Sequence, residues 1–315
     1  MSLPAFLDAL DRPFLPINLG GNPFGWTADR EATFGVLDGF LEGGGSFVDT
    51  ADAYSAWVDG HTGGESESLI GAWMAERGNR ARVAVATKVA AKPDRKGLAR
   101  DSVRAALDES LERLGTDHLD LYYLHYDDEQ VAVADQVATF HELVEEGRVR
   151  AVGLSNFTPE RMREWFETAS REGLTLPQAI QPRYTLVSRE VYERDYAPIA
   201  REFGAAVFPY PALASGFLTG KYRSEADFEG NPRGSAARRY AEAGGLRVVD
   251  ALVRVGERHD AEPASVALAW LLAKGVTAPI ASVSRAEQLP PLLAGARLAL
   301  TEQDVAELDE ASAGF

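Results

Sequence analysis

The stretch FVDTADAY (residues 47–54) begins as an apolar run short enough to be a buried strand and ends in a cluster of two carboxylates and a phenol. VAVATKV (83–89) and LDLYYLH (119–125) repeat the design, one reaching Lys88 near its end and the other ending in His125. Strands that are apolar throughout and polar at their last residues are what a parallel sheet requires when its strand ends converge on one open face. Outward from these three stretches, β-rich runs keep alternating with runs of helical period, the pattern of repeated βα units. Eight strands are expected, at 16–20, 46–50, 82–89, 119–125, 149–155, 179–185, 205–210 and 278–282. Between them the helical period is clearest at 98–114, where Val103, Leu107, Leu111 and Leu114 share one face. Further helices are expected at 65–77, 131–146, 159–172, 189–203, 246–259, 263–273 and 302–311. Eight such units in about 300 residues predict an α/β protein of one domain, 1–315, folded as a closed (β/α)8 TIM barrel.

Composition narrows the function classes. The 315 residues are 45% hydrophobic and 25% charged, ordinary globular values that exclude disorder and collagen-like repeats. The absence of cysteine removes disulfides, thiolate metal sites and a cysteine nucleophile, and fits a reducing compartment. A formal charge of -16 would repel a phosphate backbone or an anionic bilayer, so neither nucleic acid nor a membrane is an expected partner. Asp8, Asp11, Arg12 and three prolines interrupt the first sixteen residues, which do not read as a signal peptide. A soluble, cytoplasmic protein is expected.

Several motifs fail in an informative way. No GxGxxG follows the first strand, and Gly43, Gly44 and Gly45 precede a strand, so they read as a helix stop. SGFLTGKY (215–222) has too few residues between its glycines for a triphosphate loop, and Tyr222 stands where Ser or Thr is needed. No HxxxH pair occurs among the five histidines, and no metal is expected. The interval between the seventh and eighth strands is about twice the length of the others. A long cofactor loop is expected at about 212–245, with 223–245 as a flap that orders on binding.

If the barrel forms, Asp49, Tyr54, Lys88 and His125 meet at its mouth from three neighbouring strands. Taken singly, Asp49 also fits a turn or helix cap, His125 a satisfied core position, and Tyr54 a rim aromatic. An inward-facing Lys88 is harder to place without a partner. Together the four form a proton-transfer set.

At this point the chain resembles the aldo-keto reductases. DTADAY (49–54), GGESESLIG (63–71), ATK (86–88), DLYYLH (120–125), GLSNF (153–157) and LASGFLTGKY (213–222) stand in that family's order and spacing. The resemblance implies a (β/α)8 barrel, a nicotinamide cofactor and reduction of aldehydes or ketones to alcohols. Its catalytic tetrad falls on Asp49, Tyr54, Lys88 and His125. The physics of charge gives each residue a role. An ammonium about 4 Å from the phenol, at an effective dielectric of about 20, favours the phenolate by roughly 4 kcal/mol, about 3 pKa units. Lys88 is therefore expected to bring Tyr54 toward neutrality, with Asp49 holding Lys88 charged and a neutral His125 aligning the carbonyl.

The resemblance further implies that Ser155, Asn156 and Gln181 contact the carboxamide, and that Tyr210 stacks on the nicotinamide. Leu213, Ser215, Gly216, Leu218 and Lys221 match the loop around the pyrophosphate. Ser282, Ser284, Arg285 and Gln288 lie where the adenosine 2′-phosphate and adenine bind. Arg285 is the cation expected to favour NADPH (NADP+) over NADH. The chain departs from the family pattern at Pro211 and Ala212 and around Pro290 and Pro291. Phe24, Trp26, Trp57 and Tyr126 suggest an aromatic pocket for a small-molecule carbonyl substrate. Two alternatives stay open: a nicotinamide-binding regulatory subunit with little turnover, and an isomerase or lyase using Lys88 as a Schiff-base amine.

Overall fold

The ring of strands follows from eight short segments whose every residue is buried. In the computed structural model, which describes residues 3–8, 10 and 13–315, these are β1 (Asn18–Gly20), β2 (Phe47–Asp49), β3 (Ala84–Val89), β4 (Leu121–Leu124), β5 (Val152–Ser155), β6 (Ala179–Gln181), β7 (Ala206–Val207) and β8 (Ile280–Ala281). Asp11 and Arg12, which break the N-terminal run in sequence, lie outside the described residues. All pairings in the sheet are parallel, in the order β8-β1-β2-β3-β4-β5-β6-β7. The ring closes through main-chain bonds from Ala278 N to Val207 O (3.3 Å) and Ile280 N to Pro209 O (2.9 Å).

The eight strands coincide with the expected runs but are shorter, because a tilted barrel strand needs only the residues that pair before the chain turns outward. Alternation sets two layers. Residues facing out, such as Val85, pack under the helices in one core with helix residues such as Leu107 and Ile70. Residues facing in form a separate core of Phe47, Ala84, Ala86, Leu121, Tyr123 and Phe208 with further alanines. Small side chains oppose large ones there: a Cβ on Gly153 would lie 2.4 Å from the Tyr123 ring. Phe6 enters the end where strands begin, its ring 5.6 Å from Phe47, and Phe47 meets Phe208 at 5.1 Å. That end is sealed by apolar side chains, which leaves the opposite end for chemistry.

Local signals set the helices around the ring. Thr158 caps Pro159–Glu172, with proline at the first turn, and Gly173 ends it in a left-handed conformation. Helix Arg30–Glu42 stops at Gly43, as the glycine run predicts. Three features depart from expectation. The helix expected at 189–203 contains a π-turn at Tyr192–Tyr196 before Ala197–Phe203, where Pro198 withholds a backbone donor. A two-stranded hairpin, Ala91–Lys92 with Arg95–Lys96, follows β3. The stretch 223–245, expected as a loop, holds a 3-10 turn at Glu225–Phe228 and a helix at Gly234–Glu242, tied to the barrel by Arg183 Nη2 to Tyr240 Oη at 2.7 Å. None of the helices among the described residues is long and apolar enough to cross a membrane.

Because Phe47 fills the space between two rings in a close-packed interior, F47A is expected to lower stability by about 3–5 kcal/mol. Urea denaturation checks this; a loss below about 1 kcal/mol would mean that the plug relaxes into the void.

Candidate active site

The open end of the barrel gathers the residues that end β2, β3 and β4. Register pairs Gly20 with Asp49 and Asp49 with Ala86, so Lys88 lies two residues beyond the position opposite Asp49, and its ammonium meets that carboxylate. Both are wholly buried. Lys88 Nζ donates to Asp49 Oδ2 (2.6 Å), to Thr50 O (2.7 Å) and to Tyr54 Oη (2.8 Å). An ammonium has three N–H groups, and all three are used. Gln181 Nε2 occupies the other carboxylate oxygen, Oδ1, at 2.9 Å. Tyr54 Oη donates only a loose bond, 3.3 Å, to Asp49 Oδ2. The phenol therefore accepts firmly and donates weakly, leaving its proton the least committed in the cluster.

Electrostatics correct one expectation. Burial first, then the charge and hydrogen bond of Asp49, push the Tyr54 phenol well above its ordinary value, not toward neutrality. In the resting site burial and the shared carboxylate of Asp49 outweigh the neighbouring ammonium. Burial also pulls Lys88 down, opposed chiefly by Asp49. His125 is driven well below its ordinary value by burial and by Lys88, which keeps the imidazole neutral. Its enclosed Nδ1 has no hydrogen-bond partner among the described residues.

The residues assigned to the carboxamide form one network with this cluster. Ser155 Oγ donates to Gln181 O (3.1 Å), and Asn156 Nδ2 donates to His125 O (2.8 Å) and Ser155 Oγ (3.2 Å). Tyr210, half-buried, donates its hydroxyl to Asn156 Oδ1. Gln181, expected at the carboxamide, is bonded to Asp49 and so joins the Lys88 cluster.

A second cluster lies after β7 and β8. Ser215 and Gly216 both adopt left-handed backbone, and a Cβ on Gly216 would stand 3.3 Å from Lys221 Nζ. Lys221 is lowered by burial and then by two like charges, Arg233 and Arg285; Arg233 is lowered by burial. Among the described residues none of these three cations is paired with a carboxylate within 4 Å. Gln288 Oε1 accepts the main-chain N–H groups of Ser284 (3.0 Å) and Arg285 (3.2 Å), which fixes the turn. Ser284 Oγ lies 2.7 Å from Thr27 Oγ1, and Ser282 Oγ fits only because Gly20 has no side chain. Three unpaired cations around a loop that a side chain would obstruct suit the phosphates of a dinucleotide. Leu213 and Leu218 pack into the core, and the N–H of Leu218 is bonded to Leu213 O, so they shape this loop from beneath.

Sequence reading missed Arg233, which rests over the Trp26 ring (5.8 Å) and reaches Asn22 Oδ1 (3.5 Å). The available signal was an arginine between Pro232 and Gly234 in the long loop. Among the four aromatic candidates, Phe24 is wholly buried in the outer core and is not a pocket wall. The other three line a rim: Trp26 meets Trp57 at 5.5 Å, Trp57 meets Tyr54 at 6.3 Å, and His125 stacks on Tyr126 at 5.0 Å. Trp57 is 51% and Tyr126 50% exposed, enough free face to meet a ligand.

Comparison with known proteins agrees with this geometry. The model of the aldo/keto reductase family matches residues 16–313. The chain belongs to the aldo/keto reductase family. It is 32% identical to an aldo-keto reductase (Str7) of Strobilurus tenacellus, an alignment covering 90% of this chain and 82% of the relative. It is 30% identical to a norsolorinic acid reductase (StcV) of Emericella nidulans, over 94% of this chain and 77% of the relative. An uncharacterized oxidoreductase (YrpG) of Bacillus subtilis is 32% identical over 93% of this chain and 90% of the relative. Membership makes the protein an NAD(P)H-dependent oxidoreductase on the aldo/keto reductase barrel.

The His125 environment gives a direct test. A group whose folded pKa lies below its unfolded value destabilises the fold only as pH falls below the unfolded pKa, about 6.5. The expected outcome is an imidazole that stays neutral through about pH 5.5–8 in an NMR titration of labelled histidine. A His125 inflection near the unperturbed value would contradict the burial argument.

Proposed function

We propose that the protein is an NADPH-dependent reductase of aldehydes and ketones in which Tyr54 delivers the proton. The observation that carries the reading is the set of three Lys88 bonds, which makes Tyr54 an acceptor from the ammonium and leaves its own proton free for a ligand oxygen. A phenol raised by burial is fully loaded with its proton at neutral pH. An alkoxide developing from a carbonyl is a stronger base than phenolate, so the transfer stays downhill. The bond from Lys88 strengthens as charge gathers on Tyr54 Oη, so its help falls in the transition state and not in the resting site. Neutral His125 has one N–H to orient the carbonyl oxygen.

Asp49, bonded by Lys88, Gln181 and loosely Tyr54, fixes the ammonium in place. That placement argues against a Schiff-base amine, since no N–H of Lys88 is free and Asp49 holds the charge. The reduced nicotinamide supplies the hydride when bound. Ser155, Asn156 and Tyr210 would hold its ring, and Lys221, Arg233 and Arg285 its phosphates. The rim of Trp26, Trp57 and Tyr126 favours a flat or apolar carbonyl compound as the small-molecule substrate. The relatives named as reductases support reduction as the working direction.

Y54F is expected to lower kcat for reduction of an aromatic aldehyde at least about a hundredfold while leaving the Kd for NADPH within about twofold. Wild-type turnover in that variant would remove Tyr54 as the acid, and no turnover of any carbonyl by the wild type would favour a regulatory subunit.

Cofactor choice is tested at the second cluster. Charge-assisted hydrogen bonds contribute about 1.5–3 kcal/mol each, roughly 10- to 150-fold in affinity. NADPH is expected to exceed NADH at least about tenfold in kcat/KM, with R285A and R233A each eroding the preference by about tenfold or more. A preference untouched in both variants would separate these arginines from the 2′-phosphate.

A further inference from the structure

Behind Lys88, on the helix side of β3, lies a second group of buried charges that the tetrad does not use. Asp52 and Glu67 are both wholly buried. Glu67, on helix Glu65–Arg77, is held on both sides: Oε2 accepts from Arg113 Nε at 2.7 Å, and Oε1 accepts from Thr87 Oγ1, the neighbour of Lys88. Its charge is thus matched. Asp52 has no such match. Neither of its carboxyl oxygens has a hydrogen-bond partner of good geometry among the described residues, and the adjoining Ala53 amide gives only minor relief.

The backbone of the same segment clasps Lys88 along its length. Thr50 N donates to Ala86 O at 2.8 Å, Thr50 O accepts from Lys88 Nζ at 2.7 Å, and Asp52 N donates to Lys88 O at 3.2 Å. Asp52 is therefore anchored to the main chain of the residue whose ammonium polarises Tyr54. The charged and titratable groups facing it are Glu67 from helix Glu65–Arg77, Arg113 from helix Arg100–Leu114, Lys92 from the hairpin, Tyr122 from β4 and Lys88 itself from β3. Lys92 is taken up by Asp94 (3.1 Å) and Glu109 (3.6 Å), and Arg113 by Glu67. Among the described residues no cation within bonding distance is left for Asp52.

We propose that Asp52 is a positioning residue of the reduction: its main-chain N–H is bonded to the Lys88 carbonyl, and its unpaired buried carboxyl supplies, as it ionises, the extra negative charge that keeps Lys88 an ammonium in alkaline solution. Burial and the charge of Glu67 push its carboxyl up to about 8, so near neutrality it is a neutral acid. As pH rises through that value the carboxylate appears beside a lysine whose own proton is weakened by burial, and its charge holds that proton on. The sign follows directly. Removing the ionisable group removes a contribution that raises the affinity of Lys88 for its proton, so Lys88 loses that proton at lower pH. The kinetic consequence rests on the carbonyl-reductase reading; the buried acid does not.

Two measurements test the proposal. In kcat–pH profiles with NADPH and an aromatic aldehyde, D52N is expected to move the alkaline limb to lower pH by about half a unit or more, with the largest deficit above pH 8 and the smallest near pH 6, and D52E to restore the limb. A limb unchanged in D52N, or lost equally at every pH and not restored by D52E, would overturn it. Infrared difference spectra of the wild-type protein without cofactor, between about pH 6 and about pH 10, need no turnover and no variant that folds poorly. A protonated-carboxyl band that bleaches on raising pH and is missing in D52N is expected, and absence of that band in the wild type would overturn the proposal. A band present in a protein that turns over no carbonyl would sink the reductase reading and the positioning role with it, leaving only a buried acid.

Discussion

A lysine sealed inside a barrel is the constraint around which this protein is built. The interior that excludes water from Lys88 makes its charge unfavourable, and the loss of one partner from a buried ion pair typically costs about 3–5 kcal/mol. Everything within reach answers that demand: a carboxylate from β2, a main-chain carbonyl one residue on, and a phenol from the loop beyond. The end of β2, the loop after it and the end of β3 must therefore be held in fixed register, with Asp49 opposite Ala86 and Lys88 two residues further on, which the parallel pairing of the two strands achieves. The phenol is placed by the needs of the lysine, and its free proton is a by-product of that placement. The site is preorganised because its dipoles are already satisfied, so little reorganisation would accompany a change of charge at Tyr54 Oη.

Around this centre the molecule keeps two kinds of surface apart. The chain as a whole carries a charge of -16, yet Lys221, Arg233 and Arg285 stand together without carboxylate neighbours among the described residues. Such a local reversal of sign draws an anionic ligand to one place on an otherwise repelling surface. The rim on the other side is uncharged and aromatic. A molecule with phosphates at one end and a flat ring at the other meets surfaces suited to each end, and a neutral carbonyl compound has only the aromatic side to prefer.

How much of this was legible in the sequence depended on whether the signal was local. The eight strands could be read because each is a short apolar run ended by a polar residue, and the tetrad because those ends hold Asp49, Lys88 and His125 with Tyr54 just beyond. Strand length could not be read, since pairing in a tilted ring trims residues such as Ile17 and Val83 that look equally β-prone. The helix at Gly234–Glu242 was hidden by a composition of arginine, alanine and other small or polar residues in which Tyr240 is the one large ring, and it is tied to the barrel by a contact made across the chain, from Tyr240 to Arg183. Phe24 was misplaced because position near a strand end does not say which way a side chain turns. The direction of the Tyr54 shift failed for a different reason: pairing one charge with one phenol leaves out the carboxylate that both share. Arg233 needed the fold, which brings it from the long loop to Trp26 and Asn22 near β1.

The bonds that join β7 to β8 have a consequence beyond holding the site. Strands of two or three residues would be poor building blocks in an open sheet, where the outermost one exposes a row of unanswered donors and acceptors. Here the first strand is flanked by the last, and among the described residues the ring has no outermost strand to offer. Another chain cannot extend it by adding a strand, so the routes to fibril growth and to strand exchange between molecules are shut at the level of the main chain. Assembly through this ring is closed off, and what remains for contact with other chains is the helices, the loops and the short hairpin Ala91–Lys92 with Arg95–Lys96.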